Sequence, residues 1–473
     1  MMSSVIAKRP ITHLLGLSQR SLLRRGKPVI PRRTLFEQTV ETQNQYRSNR
    51  RLNKWVLSLV GLVTVGYGIW WAYCPHNPFQ NSVATILRKG LWAESDKEEF
   101  NYKKALTYYI KALDECNKLK LDNISDEYTG IELKIAEMYE KTKEYDNANS
   151  IYLELLYRFY DALIKPGSVS EERRPEIIRR DLRVLIKSLE TNKDISIGKR
   201  NLLAHLLLVQ QEILTRSPDL RKFFDDRKAK PISLFQAKSS EASDFKTFAN
   251  NENIKLDNEG YMILDLQKDS SAWEPFKEEF FTARDLYTAY CLSAKDLKSA
   301  LSCKMTTVEW MVMADMPPGQ ILLSQANLGS LLYLQSEKFE SDIYQLNSKC
   351  DEKIELKNDE NTIRALRNLN RNKDTCMKMA TQCYDSVIQF AKKNNKLRFN
   401  AKDQLDPSAA QAIALSVYGM GVLNLHQGIL AKAERLLKDS VDMAKEIDFS
   451  ELIKEAENEL EKVDKAKTER LSR

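Results

Sequence analysis

Histidine is scarce in this 473-residue chain, which holds only His13, His76, His205 and His426. None belongs to an HExxH pair, which excludes the two-histidine zinc site of a zincin protease. There is no G-x-x-x-x-G-K-[ST] phosphate loop, no GxGxxG after a strand and no GxSxG. The seven cysteines (Cys74, Cys116, Cys291, Cys303, Cys350, Cys376 and Cys383) include no C-x2-C pair and no twin-cysteine spacing. So odd and scattered a set argues against both a disulfide framework and a zinc site. The thiols read instead as small buried hydrophobes. Carboxylates are abundant, but they sit beside Lys and Arg on helix faces, where i,i+4 pairing is their ordinary role. With no converging acid, base or nucleophile, the expectation is a non-enzymatic protein with no catalytic residue, no metal and no cofactor.

Acidic residues are missing from Met1 to Phe36, where Lys8, Arg9, Arg20, Arg24, Arg25, Lys27, Arg32 and Arg33 alternate with serines and threonines. Leu14, Leu15, Leu22 and Leu23 can share one helical face. A basic, hydroxyl-rich, acid-poor and amphipathic leader is the composition of a mitochondrial presequence. A plain basic tail, or a cytosolic flank set by the positive-inside rule, is the alternative. A secretory signal would need a 7–15-residue apolar core near the N-terminus, and none is present.

Charge is absent again from residues 55–73, WVLSLVGLVTVGYGIWWAY. A helix of that length crosses a hydrocarbon core of roughly 30 Å. Trp55 opens the run, and Trp70, Trp71 and Tyr73 close it, as interfacial rings do. Arg47, Arg50, Arg51 and Lys54 precede it, whereas Arg88 is the first charge beyond it. That asymmetry keeps the N-terminal flank on the negative side. For an imported protein the flank lies in the matrix, and the large C-terminal domain lies in the intermembrane space. Residues 1–54 carry twelve Lys/Arg against two Asp/Glu, so the net charge of +7 leaves −3 for residues 74–473. The basic balance belongs to the address label, and the remainder has no electrostatic footprint for nucleic acid.

The expected organisation is therefore a presequence (1–36), a basic matrix-side flank (37–54), a single transmembrane helix (55–73) and a spacer stiffened by Pro75 and Pro78 (74–82). Beyond it, amphipathic helices recur in pairs. NYKKALTYYIKALDEC places Ala105, Tyr109, Ala112 and Leu113 at i, i+4, i+7 and i+8. Ala136, Tyr139, Ala148 and Tyr152 flank a polar turn at 143–147 in the next pair. Leu328–Leu332 and the trio Ala380, Tyr384 and Val387 supply a third pair across a charged insertion at about 337–360. Gly421, Ala433 and Leu437 mark a fourth. This spacing matches tetratricopeptide (TPR) repeats. The fold class is all-α: one N-terminal transmembrane helix, then a TPR-like solenoid in blocks at 83–235 and 276–449. An irregular excursion at 236–275 carries a candidate β-hairpin around Asp257–Gly260. A charged helix at 450–473 suits a polar solenoid cap.

Long strings then carry a resemblance. YMILDLQKDSSAWEPFKEEFFTARDLYTAYCLSAKDLKSALSCK and VEWMVMADMPPGQILLSQANLGSLLYLQ resemble the TPR-containing substrate-adaptor subunit of the fungal mitochondrial inner-membrane i-AAA protease complex. IELKIAEMYEK and LSVYGMGVLNL agree with it too. The resemblance covers about Leu91 to Lys462. It implies an inner-membrane protein associated with the AAA metalloprotease subunit and a second adaptor subunit, delivering unfolded membrane or intermembrane-space proteins. Without it, the alternatives are a TPR import receptor on the outer membrane, which would need a short N-terminal signal anchor where 54 residues precede the charge-free run, or a respiratory-complex assembly factor, which shares every compositional feature.

Three sets of residues are candidate surfaces. In the membrane run, Gly61, Thr64, Gly68 and Ala72 form a small-residue stripe that admits a partner helix, although such residues are common in membrane helices. If the first helix of each pair lines a groove, Glu137, Glu140, Lys141, Ser330, Tyr333, Tyr418 and His426 fall on it; an ordinary solvated face or core edge is the other reading. Met305, Met311, Met313 and Met316 around Trp310 could meet unfolded chains with polarizable side chains, or fill the core.

Overall fold

A computed structural model describes residues 79–96, 99–192, 194–222, 224–225, 255–256, 262–263, 269–352, 359–393 and 406–471. The presequence, the basic flank and the membrane run lie outside the described residues, as does most of the 236–275 excursion. The chain divides into two compact units between Ile151 and Tyr152.

In the first unit, α1 (Asn81–Glu94) packs on α2 (Tyr102–Lys118), and α2 packs on α3 (Asp126–Lys141). Each boundary has a local cause. The Asn101 side chain accepts from Lys104 N and the Ser125 side chain from Tyr128 N, which satisfies amides that the first turns of α2 and α3 leave open. Lys120 (φ 54°) and Lys143 (φ 65°) turn the chain left-handed just past α2 and α3, ending both helices. Of the residues singled out by spacing, Ala105, Tyr109, Ala112 and Ala136 are all within 1 % of full burial, whereas Leu113 and Tyr139 are half-buried.

The second unit begins within α4 (Tyr145–Ile164) and continues through α5 (Arg174–Thr191) and α6 (Ile195–Arg216). A two-residue antiparallel ladder follows, β1 (Lys255–Leu256) on β2 (Met262–Ile263), with Lys255 opposite Ile263 and Leu256 opposite Met262. It falls where a hairpin was expected. After a 3₁₀ turn at Ser270–Trp273 come α7 (Lys277–Ser293), α8 (Leu297–Met313), α9 (Pro318–Glu352), α10 (Glu360–Lys393), α11 (Pro407–His426), α12 (Leu430–Glu446) and α13 (Ser450–Leu471). From α5 to α13 each helix packs on one or both of its nearest neighbours in the chain, the repeat-like order of stacked hairpins.

The expected insertion at 337–360 needs correcting. α9 runs unbroken to Glu352, and α10 starts at Glu360. No Gly or Pro interrupts Ser336 to Glu352, and Glu and Lys are good helix formers, so the charged stretch extends the helix. At 35 residues, α9 alone is as long as a TPR motif that holds two helices.

α11 is apolar enough and long enough to cross a membrane, but 89 % of its apolar window is buried. It is a core helix, apolar all round because α9, α10 and α12 surround it. The joint is Tyr384 of α10, 1 % exposed, whose hydroxyl lies 3.0 Å from Ser330 Oγ. Its ring presses on Gly329 of α9 and Gly419 of α11. A Cβ at Gly329 would meet Tyr384 Cε1 at 2.8 Å. Because the ring is held from two sides it cannot yield, and Gly329→Ala is expected to cost about 1–3 kcal/mol of stability by overpacking. Denaturant unfolding of the two chains measures the difference.

Candidate functional site

α6 is apolar on both sides, yet among the described residues only one side is covered. Gly198, Leu202, His205, Leu206, Val209 and Ile213 form its buried stripe. Leu203 and Leu207, at 41 % and 55 % exposure, stand on the other. With Arg200, Ala204, Leu208 and Gln211 they repeat at i, i+3, i+4, i+7, i+8 and i+11, a continuous helical face. Tyr160 and Ile164 of α4 complete the walls of an open cavity of about 400 Å³. Ile164 is itself 55 % exposed. The result is an apolar groove with a cation near one end (Arg200) and an amide near the other (Gln211).

The groove's walls are tied from behind by polar contacts. His205 Nδ1 lies 2.7 Å from Asp181 Oδ2, joining α6 to α5, and the His205 ring sits 5.1 Å from that of Tyr160. Arg174 donates to Glu212 through Nε at 3.1 Å and Nη2 at 3.0 Å, and through Nη1 to the carbonyl of Leu163 at 3.1 Å. One guanidinium therefore holds the C-terminal ends of both helices that form the groove. At the other end of α6, Asp194 caps the helix through Ser196 N (2.8 Å) and Ile197 N (3.3 Å). Lys199 donates to Asp296 Oδ2 at 2.5 Å, and Asp296 Oδ1 accepts from Ser299 N, capping α8. The lysine and these cap bonds hold the Asp296 carboxyl down at about 2.

Of the candidates from the sequence, Tyr333 and His426 are brought into contact. Glu137, Glu140 and Lys141 lie in the first unit on α3; Glu137 accepts from Lys134 at 2.9 Å, Glu140 is half-buried and Lys141 is exposed. In the second unit Ser330, Tyr333 and Tyr418 are 3 %, 4 % and 1 % exposed, so they are core residues of α9 and α11 and have no surface to offer. His426 closes α11 with Nδ1 3.4 Å from the Tyr333 hydroxyl and Nε2 3.5 Å from Glu340. Met305, Met311, Met313 and Met316 are at most 7 % exposed. They are core fillers beside Trp310, whose ring meets those of Trp273, Phe280 and Phe224. The stripe Gly61, Thr64, Gly68 and Ala72 lies outside the described residues. The groove itself was not foreseen, although its signal was present: LLAHLLLVQQEIL is apolar around the whole helix, and only a second partner could cover both sides.

This geometry defines a class, a mainly helical protein of stacked hairpins with an open apolar groove on α6. A family model described as the MGR3 middle domain matches residues 166–316, from α5 through α8. The mitochondrial inner membrane i-AAA protease supercomplex subunit MGR3 of Saccharomyces cerevisiae is 58 % identical over 421 residues, covering 89 % of this chain and 83 % of the relative. A protein named MRG3-like, from the same organism, is 39 % identical over 446 residues, covering 91 % and 93 %. The chain belongs to the MGR3 family. A solved circular tandem repeat protein aligns with 82 % of this chain and 90 % of its own at 14 % identity, but the TM-score of 0.19 carries no argument.

Because its folded value is depressed, Asp296 adds stability that is complete above the ordinary carboxylate value of about 4 and is lost as pH falls toward about 2. Lys199→Met is expected to lower the unfolding midpoint at neutral pH, with the difference from the parent chain shrinking across that window. Denaturant titrations at stepped pH read the effect.

Proposed function

We propose that this chain is a non-enzymatic, TPR-like subunit of a mitochondrial i-AAA protease supercomplex that presents unfolded proteins to the protease. The observation that carries this reading is the uncovered apolar face of α6 in a chain of the MGR3 family. A buried core helix would be closed on both sides, as α11 is. On α6, Leu203 and Leu207 instead remain in water at a cost of roughly 1–2 kcal/mol each relative to full burial. An apolar segment of an unfolded polypeptide recovers that free energy when it lies in the groove. Arg200 and Gln211 are then placed to hydrogen-bond the segment's backbone carbonyls. The cavity suits a few side chains at a time, which fits clients that share composition and not sequence. Ordering an unfolded segment costs conformational entropy, so affinity for any one client is modest.

The remainder of the reading concerns place and partners. The acid-free leader and the charge-free run at 55–73 make the chain a single-pass inner-membrane protein, with its N-terminus in the matrix and its helical units in the intermembrane space. The name of the MGR3 relative supports the AAA metalloprotease as a partner. A second adaptor subunit and unfolded clients complete the expected set.

The groove is tested by Leu203→Ser combined with Leu207→Ser in the full chain. Photocrosslinking to an unfolded model polypeptide is expected to fall about tenfold or more, from the loss of two apolar contacts. The unfolding free energy should change by less than about 0.5 kcal/mol per site, because both side chains are exposed. Co-elution of the AAA protease in mild detergent should be retained. Undiminished crosslinking removes the groove as the client site; loss of the protease with crosslinking intact makes it a subunit interface.

A further inference from the structure

α9 and α10 outrun the helix that covers them. Hydrogen bonds from Gln325 to Ser386 (2.5 Å), between Ser330 and Tyr384 (3.0 Å) and from Ser336 to the Lys373 carbonyl (3.4 Å) lay the two side by side and antiparallel. α11 begins beside Gly319 and ends at His426, next to Tyr333 and Glu340. Under α11 the seam between α9 and α10 is closed, with Leu331, Leu332 and Met379 buried. Farther along, Ile343 and Leu346 of α9 and Leu366 and Leu369 of α10 keep helical spacing but are only half-buried. The distal arm, 341–352 with 360–373, thus stands with the flanks of its seam in water.

One side of this arm gathers Glu340 and Tyr344 from α9 with Ile363 and Arg367 from α10. Each lies about 90–140° round its helix from the seam in the same sense, and antiparallel helices bring equal rotations to the same side. Tyr344 and Ile363 are 63 % and 44 % exposed, the Glu340 side chain is 51 % exposed, and Arg367 is exposed as well. Charge is divided between the two helices. Residues 337–352 of α9 carry five acids and two lysines, whereas between Glu360 and Asp374 α10 carries four cations and no acid.

That pattern specifies its own partner. A basic helix must lie over α9 and an acidic one over α10, at the same spacing, around an apolar centre. A second copy of the arm meets this requirement when the two-fold axis runs along the arm, which lays each α9 on the α10 of the other copy. The other face-to-face choice, an axis across the arm, sets α9 on α9, acid against acid. We propose that two copies of this chain pair through this face as a four-helix bundle. Tyr344 packs on Ile363 of the second copy, and Glu340 faces its Arg367. About 14 residues per helix, across two helix widths, give about 400 Å² per copy, half of what a standard interface buries on each side. The pairing is therefore reversible and concentration-dependent, and it is independent of what α6 holds.

The test irradiates the purified full chain, in mild detergent, with p-benzoylphenylalanine in place of Tyr344. An adduct of twice the chain's mass is expected on a denaturing gel, rising with protein concentration and mapping to α10 near Ile363. Arg367→Glu alone and Glu340→Lys alone should each cut its yield about fivefold or more, because the two-fold axis repeats each repulsion. Mixing these two variants should restore the adduct, since every contact between unlike copies is again opposite in charge. Pairing is ruled out by the absence of an adduct between copies at any concentration, or by a yield that ignores both reversals. It is equally ruled out if mixing fails to rescue two variants that circular dichroism shows to be folded. Adducts formed only with a different protein, in a detergent extract of the complex, give the face to that protein and overturn the pairing too.

Discussion

A tyrosine ring seated on a glycine of the neighbouring helix is the contact on which this architecture turns. Tyr109 meets Gly90 between α2 and α1, Tyr290 meets Gly198 between α7 and α6, and Tyr384 meets Gly329 and Gly419 among α10, α9 and α11. Each ring is large and flat, and each glycine removes the one atom that would hold the helices apart. A helix so notched cannot rotate without driving the ring into backbone. The contact thus does more than bury area, since it decides which face of each helix points inward. For α6 this choice matters, because it carries a second face with apolar side chains. The outward positions of Leu203 and Leu207 follow from where Gly198 sits.

Polar anchoring supplies what ring packing leaves loose. Asp181 is fully buried and meets His205, so α5 and α6 are joined at a point where apolar side chains could slide. Arg284 plays a comparable part between α7 and α8. Its guanidinium donates to Thr307 at 2.8 Å and to the Cys303 carbonyl at 3.1 Å, and it lies 5.4 Å from the Trp310 ring. The Arg284 cation is buried with these hydrogen bonds met, and a group so placed admits one arrangement of the two helices. This accounts for the methionines around Trp310. They fill space beside a cation and rings whose positions are already set, a task for unbranched side chains inside the protein.

Helix periodicity carried most of the fold, and its failures have physical causes. Ala105, Tyr109, Ala112, Ala380, Tyr384 and Val387 were legible because each helix there has one apolar stripe and one polar one. Ser330, Tyr333 and Tyr418 were misplaced because a repeat count ranks residues by position in a hairpin, and α9 and α11 are enclosed by more neighbours than a simple hairpin provides. The stretch at 337–352 resembled an insertion because charge density was given more weight than the absence of helix breakers. On α6 the pattern is ambiguous in itself. When both faces are apolar, period alone cannot say which is core, and the only local clue is the glycine that marks the side of close approach.

A shallow groove is enough for the proposed role when it is combined with the proposed membrane tether. A client held by a few apolar side chains dissociates quickly, and in free solution such binding would accomplish little. Confinement to the same membrane as a protease turns a second encounter into a nearly intramolecular event, whose effective concentration is set by the tether and not by bulk solution. Tight binding would then be a disadvantage, since a client must leave the adaptor to enter the protease. The geometry agrees with this compromise at the level of single side chains. Leu203, Leu207 and Ile164 are half-exposed, neither enclosed in a deep pocket nor hidden in the core. The groove is backed by helices locked through Gly198, Asp181 and Arg174, so its shape is ready before a client arrives, and no ordering of the protein itself is charged against the weak contacts.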